Sequence, residues 1–169
     1  MQAFESLDST NNYLKKLAAE GAAEGTVVIA DEQTAGRGRM GRSFASAAGC
    51  GIYMSMLLRP ADCTPDCAQS LTAVCAVAVC RAVEKVCGRA PGIKWINDLY
   101  LRGKKICGIL CESSVKNGKV DYAVLGIGLN VTTRIGLSRG AARNGRLAAY
   151  ADGLHFRARQ AYRSDHRGA

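Results

Sequence analysis

Two long β-rich runs joined by an Asn-Gly turn constrain this chain more than any other feature. Residues 105–115 and 120–127 are rich in Ile, Val, Leu and Cys, and Lys116-Asn117-Gly118-Lys119 lies between them. Asn-Gly suits the two-residue type I′ turn, in which both central positions take positive φ. The pair reads as a β-hairpin, so the fold must contain an antiparallel sheet. Arg102-Gly103 supplies a second hairpin signal just upstream.

The remaining segments fit around that hairpin. Residues 4–7 read as a short strand. Asp8-Ser9-Thr10 offers N-cap chemistry for a helix over about 11–20, with Tyr13, Leu14, Leu17 and Ala18 on one face. The β-branched run at 26–30 reads as a buried strand, and 52–58 as another. Residues 67–86 form a long Ala-rich helix, apolar nearly all round and so expected to be well buried. Ile93-Lys94-Trp95 is a short strand that leads into a turn at Asn97-Asp98. The expected architecture is α+β, a mainly antiparallel mixed sheet with helices packed on one face.

Composition narrows the class. The chain has 169 residues, 48% hydrophobic and 22% charged, which suits one globular domain with a real core. No apolar run approaches the ~20 residues of a membrane helix. The first residues lack a secretory pattern, so the expected compartment is the cytosol. The net charge is +9, but residues 134–169 carry eight arginines, no lysine and two aspartates. Residues 1–131 are therefore read as the folded domain, and 132–169 as an Arg-rich, poorly ordered tail. A basic tail also leaves a nucleic-acid reading open. The eight cysteines include no Cys-x-x-Cys pair, and they are read as free thiols acting as small hydrophobes.

Four segments bear chemistry. Gly36-Arg37-Gly38-Arg39-Met40-Gly41-Arg42 joins tight-turning glycines to forked cationic donors. It is an anion-binding turn or a solvated loop. A nucleic-acid segment fits less well, because the motif is single and lies between strands. Lys94, at the end of a strand expected to be buried, either pairs with Asp98 or faces an anionic ligand. Ser9-Thr10-Asn11 is a helix cap or a set of donors facing a ligand. Gly126-x-Gly128-x-Asn130 ends a strand without the helix that a dinucleotide fold requires. Both histidines lie in the tail, so the body cannot assemble a His-based nucleophilic triad. Fixed cations beside flexible turns suit nucleotidyl or acyl transfer.

Taken together, these motifs resemble the catalytic domain of biotin protein ligases, whose fold is like that of class II aminoacyl-tRNA synthetases. The likeness rests on Ser9-Thr10-Asn11, Gln33-x-x-Gly36-Arg37-Gly38-Arg39-x-Gly41-Arg42, Lys94-Trp95-Ile96-Asn97-Asp98-Leu99, Lys105-x-Cys107-Gly108-Ile109-Leu110 and Gly126-x-Gly128-x-Asn130, in that order. Ile96 stands where the family usually has Pro. The resemblance implies that biotin and ATP, with Mg²⁺, give biotinyl-5′-AMP and that biotin then passes to a lysine of a biotin carboxyl carrier domain. It implies biotin or adenylate contacts at Ser9, Thr10, Asn11, Gln33, Gly36, Arg37, Gly38, Arg39, Lys94 and Gly108. Lys94 and Arg39 take the catalytic roles. Arg42, Phe44, Asn97, Asp98 and Asn130 fall on the nucleotide side, and no protein-only metal site is expected. The Gly-Arg loop is expected to order over the ligand and shield the reactive anhydride from water. The alternatives are a lipoate ligase or lipoyltransferase, and a biotin-binding module without turnover. No DNA-binding helix-turn-helix segment and no membrane partner are expected, and the protein is read as a monomer or homodimer.

Overall fold

The computed structural model describes residues 1–132. Ten elements follow one another, labelled here in chain order. They are β1 (Gln2–Leu7), α1 (Thr10–Ala19), β2 (Val27–Gln33), a short 3-10 turn (Arg39–Gly41), β3 (Gly51–Leu58), α2 (Cys67–Cys87), β4 (Gly92–Lys94), β5 (Asp98–Leu101), β6 (Lys104–Lys116) and β7 (Lys119–Asn130). The strands form one seven-stranded sheet in the order β1-β2-β3-β7-β6-β5-β4. Only β1 and β2 run parallel, with α1 as their crossover; every other neighbouring pair is antiparallel.

Both expected hairpins form. Asn117 and Gly118 take φ of 52° and 74°, and Arg102 and Gly103 take 51° and 73°. These are the paired positive φ values of type I′ turns. Helix α1 starts at Ser9, whose hydroxyl accepts from the Asn12 N–H, and Leu14 and Ala18 bury its inner face. Helix α2 stops at Gly88, in the left-handed conformation with φ of 65°, whose N–H donates to Glu84 O.

The expectation that the helices share one face of the sheet is corrected. Val124 of β7 packs with Leu14 and Ala18 of α1, whereas its neighbour Leu125 packs with Cys75, Ala76 and Val83 of α2. Successive strand residues point to opposite faces, so the helices lie on opposite faces. Nor is α2 buried all round. Its outward Val74 and Val86 are 66% and 61% exposed.

The cysteine reading is corrected in part. Cys63 and Cys67 are paired as a disulfide in the turn entering α2, whereas Cys75 and Cys107 are buried free thiols in the α2 core. Burial pushes the Cys107 thiol up to about 12 and the Cys75 thiol up to about 11. Both stay protonated near neutral pH and act as the small hydrophobes expected of them. Among the described residues no helix is long and apolar enough to cross a membrane. The expected poorly ordered tail, after Thr132, lies outside the described residues.

Candidate active site

The α1 face of the sheet has a floor without side chains. Gly126 and Gly128 on β7 and Gly108 on β6 lie side by side there, in register with Ser55, Tyr53 and each other. A Cβ at Gly126 would run into the Asn11 amide, and one at Gly128 into the Phe44 ring. The glycines therefore allow Asn11 and Phe44 to lie directly on the backbone. Tyr53 braces the Phe44 ring edge-on at 6.4 Å and donates its hydroxyl to Ala47 O at 3.1 Å. This floor underlies a cavity of about 240 Å³.

One wall is uncharged and buried. Thr10 brings its N–H and its hydroxyl to Gln33 Oε1, at 2.9 and 3.1 Å. Gln33 Nε2 donates to Ser46 Oγ at 2.8 Å. Ser55 Oγ lies 2.8 Å from Thr10 Oγ1 and 2.6 Å from Asn11 Oδ1. Ser9, Thr10, Asn11, Ser46 and Ser55 are all buried. Buried hydroxyls and amides in such number are costly unless bonded, and here they bond one another at the edge of a cavity.

The opposite wall is cationic. Lys105 Nζ sits 2.7 Å from Asp98 Oδ1. Asn97 Nδ2 donates to the same oxygen at 3.0 Å, and Asn97 Oδ1 accepts from Arg39 Nη1 at 3.0 Å. The Asn97 carbonyl in turn accepts from the Ile109 N–H at 2.8 Å. The Gly-Arg loop forms the rim. Phe44 N–H donates to Gly36 O at 2.8 Å and Gly38 N–H to Arg42 O at 2.7 Å, which closes the loop as a small hairpin. Arg37 is anchored, with Nη1 2.9 Å from both Glu112 Oε1 and Asn12 Oδ1. Arg42 lines the cavity, and its guanidinium has no partner among the described residues.

Twelve of the residues expected from sequence line this cavity: Ser9, Thr10, Asn11, Gln33, Arg37, Gly38, Arg39, Arg42, Phe44, Asn97, Asp98 and Gly108. Gly36 lies one step outside, at the base of the loop. Asn130 ends β7 opposite Gly51 and does not line the cavity. Lys94 does not line it either. Strand β4 is an exposed edge strand rather than a buried one, and Lys94 Nζ sits over the Tyr100 ring at 5.7 Å. Asp98, which the sequence offers as a partner for Lys94, is taken by Lys105 instead.

Lys105 also lines the cavity and was not among the site residues expected from sequence. Strand alternation places it on the α2 face with Cys107 and Ile109. A bulge breaks that alternation, because Leu99 pairs with Cys107 but Tyr100 pairs with Lys105, leaving Ile106 as the extra residue. Ile106 and Cys107 both enter the α2 core, and Lys105 turns to the cavity, its Nζ beside Gly108. Bulges re-aim side chains in this way.

The comparisons with known proteins agree on one family. The biotin/lipoate A/B protein ligase family model matches residues 3–130. The chain belongs to that family. The bifunctional ligase/repressor BirA of Bacillus subtilis is 45% identical over 125 residues, 74% of this chain and 38% of that protein. The biotin protein ligase of Aquifex aeolicus, solved with biotin and ATP, superposes with a TM-score of 0.66 at 35% identity, over 78% of this chain and 52% of that one. The Leishmania major biotin protein ligase, solved with biotinyl-5-AMP, gives 0.67 at 29% identity, over 78% and 57%. The sequence thus spans well under half of the Bacillus subtilis relative and little more than half of each of these structures.

Proposed function

We propose that this family member activates biotin with MgATP to biotinyl-5′-AMP and passes the biotinyl group to a lysine of a carrier domain. One observation carries the reading: an uncharged wall of buried hydroxyls and amides faces a cationic wall across a glycine floor. Ser9, Thr10, Asn11 and Gln33 offer donors and acceptors suited to a cyclic urea. Gly36, Arg37 and Gly38 shape the loop that covers it. Lys105, Arg39 and Arg42 suit the carboxylate and the α-phosphate.

In the first step a carboxylate oxygen bonds to the α-phosphorus, and the bond from that phosphorus to the pyrophosphate oxygen breaks. Two anions must approach each other, and cations fixed beforehand offset the charge at no cost of reorganisation. Lys105 is held for this by Asp98, and Arg39 by Asn97. Lys105 therefore takes the role that the motif resemblance gave to Lys94. In the second step the carrier's neutral amine bonds to the acyl carbon, AMP leaves and the amine proton passes to solvent. Phe44 and Asn97 serve the nucleotide side.

Mg²⁺ enters here as part of the MgATP substrate. The Mg²⁺ of a nucleotide substrate is held mainly through phosphates and water, with few protein ligands. The cytosol, where ATP and carrier proteins meet, is the compartment this reaction suits.

The test mixes the protein with biotin and MgATP, then follows pyrophosphate release and transfer to a purified carrier domain. Release that needs biotin, and that lipoate does not replace, supports the reading. Preference for lipoate would move the chain to the other branch of its family, and tight biotin binding without release would leave a binding module.

A further inference from the structure

Glu112 is a carboxylate that the proposed chemistry leaves unused, and it sits where the uncharged wall meets the loop. It lies on β6, on the cavity face with Gly108 and Leu110, and its side chain is 19% exposed. Oε1 accepts from Lys15 Nζ and Arg37 Nη1, each at 2.9 Å. Oε2 accepts from Asn11 Nδ2 at 2.9 Å. Helix α1, the Gly-Arg loop and the sheet thus meet on one carboxylate.

We propose that Glu112 is a positioning residue whose charge fixes the donor–acceptor polarity of the uncharged wall. A carboxylate can only accept hydrogen bonds, so Asn11 must turn Nδ2 toward it. The Leu110 carbonyl, 3.4 Å from the same nitrogen, reinforces that choice. Asn11 Oδ1 is thereby turned to Ser55, whose Oγ stands 2.6 Å away. An amide oxygen only accepts, so Ser55 spends its single proton there. Thr10's hydroxyl proton then lies between Ser55 Oγ and Gln33 Oε1, both acceptors at that point. The wall keeps the Thr10 oxygen lone pairs for a ligand N–H. A neutral amide at 112 offers an NH2 group, which allows Asn11 to flip, Ser55 to turn its proton to Thr10, and the wall to present the opposite pattern.

The ligand part of this proposal rests on the biotin reading; the orientation of Asn11 does not. The full chain is compared with Glu112→Gln and with Lys15→Met, which removes one ion pair but leaves the Asn11 contact. The first readout is the Asn11 side-chain amide ¹H–¹⁵N signal of the ligand-free protein, assigned by its loss in Asn11→Ser. It is expected to shift in E112Q and to stay in place in K15M. In the wild type it is expected to move with the Glu112 carboxyl as that group is titrated with acid, and this measurement holds even if E112Q does not fold. The second readout is biotin affinity by calorimetry, with Kd expected to rise about 10-fold or more in E112Q, the effect of one misdirected buried hydrogen bond. K15M should change it little. An Asn11 signal that ignores both E112Q and the acid titration overturns the proposal. Wild-type protein that binds no biotin overturns the biotin reading alone, since the amide signal still decides the role of Glu112.

Discussion

Lys105 Nζ lies 2.7 Å from Asp98 Oδ1, held at the cavity by the one register break between β5 and β6. Lys94, its rival in the sequence, is exposed on the edge strand. If Lys105 stabilises charge at the α-phosphate, Lys105→Ala should slow biotin-dependent pyrophosphate release by roughly 10²–10³-fold, the usual loss of one preorganised donor. Lys94→Ala should change that rate by less than about 3-fold, since exposed cations contribute little. The reverse order of effects would return the catalytic role to Lys94.

Gly128 underlies the Phe44 ring, and any Cβ there would overlap it. Gly128→Ala should displace the ring and, with it, the end of the Gly-Arg loop, because Phe44 N–H closes that loop on Gly36 O. ATP affinity should fall by about 10-fold or more while the far-UV spectrum stays native, since the backbone at 128 is ordinary strand. Titration of ATP in the presence of biotin measures this directly. An alanine that binds ATP normally would show that the ring is free to move.

The α1 face depends on few large side chains. Leu14 is fully buried and packs with Val28, Leu57 and Val124. Leu14→Ala should cost about 2–5 kcal/mol of unfolding free energy by denaturant titration. Because α1 carries Thr10 and Asn11 into the cavity, biotin should recover part of that loss by binding only the native state. A variant that loses stability but gains none of it back from biotin would separate the helix from the ligand.

The fold was legible where local chemistry acts alone. Asn117-Gly118 announced its hairpin because few other dipeptides accept two positive φ values, and Ser9 announced a helix start. Which face a helix takes is another matter. Val124 and Leu125 look alike in sequence, and only the assembled sheet assigns one to α1 and the other to α2. The site divides in the same way. Hydroxyls, amides and arginines in the loop-borne motifs were readable, and most of them line the cavity. Lys105 was hidden because a bulge reverses strand parity. The signal that could have found it is the pair of apolar neighbours Ile106 and Cys107, which strict alternation would split between two faces. Glu112 was hidden because its partners lie about a hundred residues away, at Asn11 and Lys15.

Acid should reveal Glu112 as a stability determinant. Burial opposes its ionisation, but the hydrogen bonds from Asn11 and Lys15 and the charges of Lys15 and Arg37 outweigh that and hold its carboxyl below its ordinary value. A carboxyl lowered on folding stabilises the native state fully above its unfolded value, and that contribution is lost as pH falls through the folded value. Asp8 acts in the same sense, through the hydrogen bond from Asn12. The protein should therefore lose stability below about pH 4.3, where an unfolded glutamate takes up its proton. Denaturant titrations from pH 7 down to 3 check the slope. In E112Q the neutral-pH stability should be lower and the acid slope shallower, with Asp8 left as a lowered carboxyl. An E112Q curve parallel to the wild type at every pH would mean that Lys15 and Arg37 do not hold the charge of Glu112 in solution.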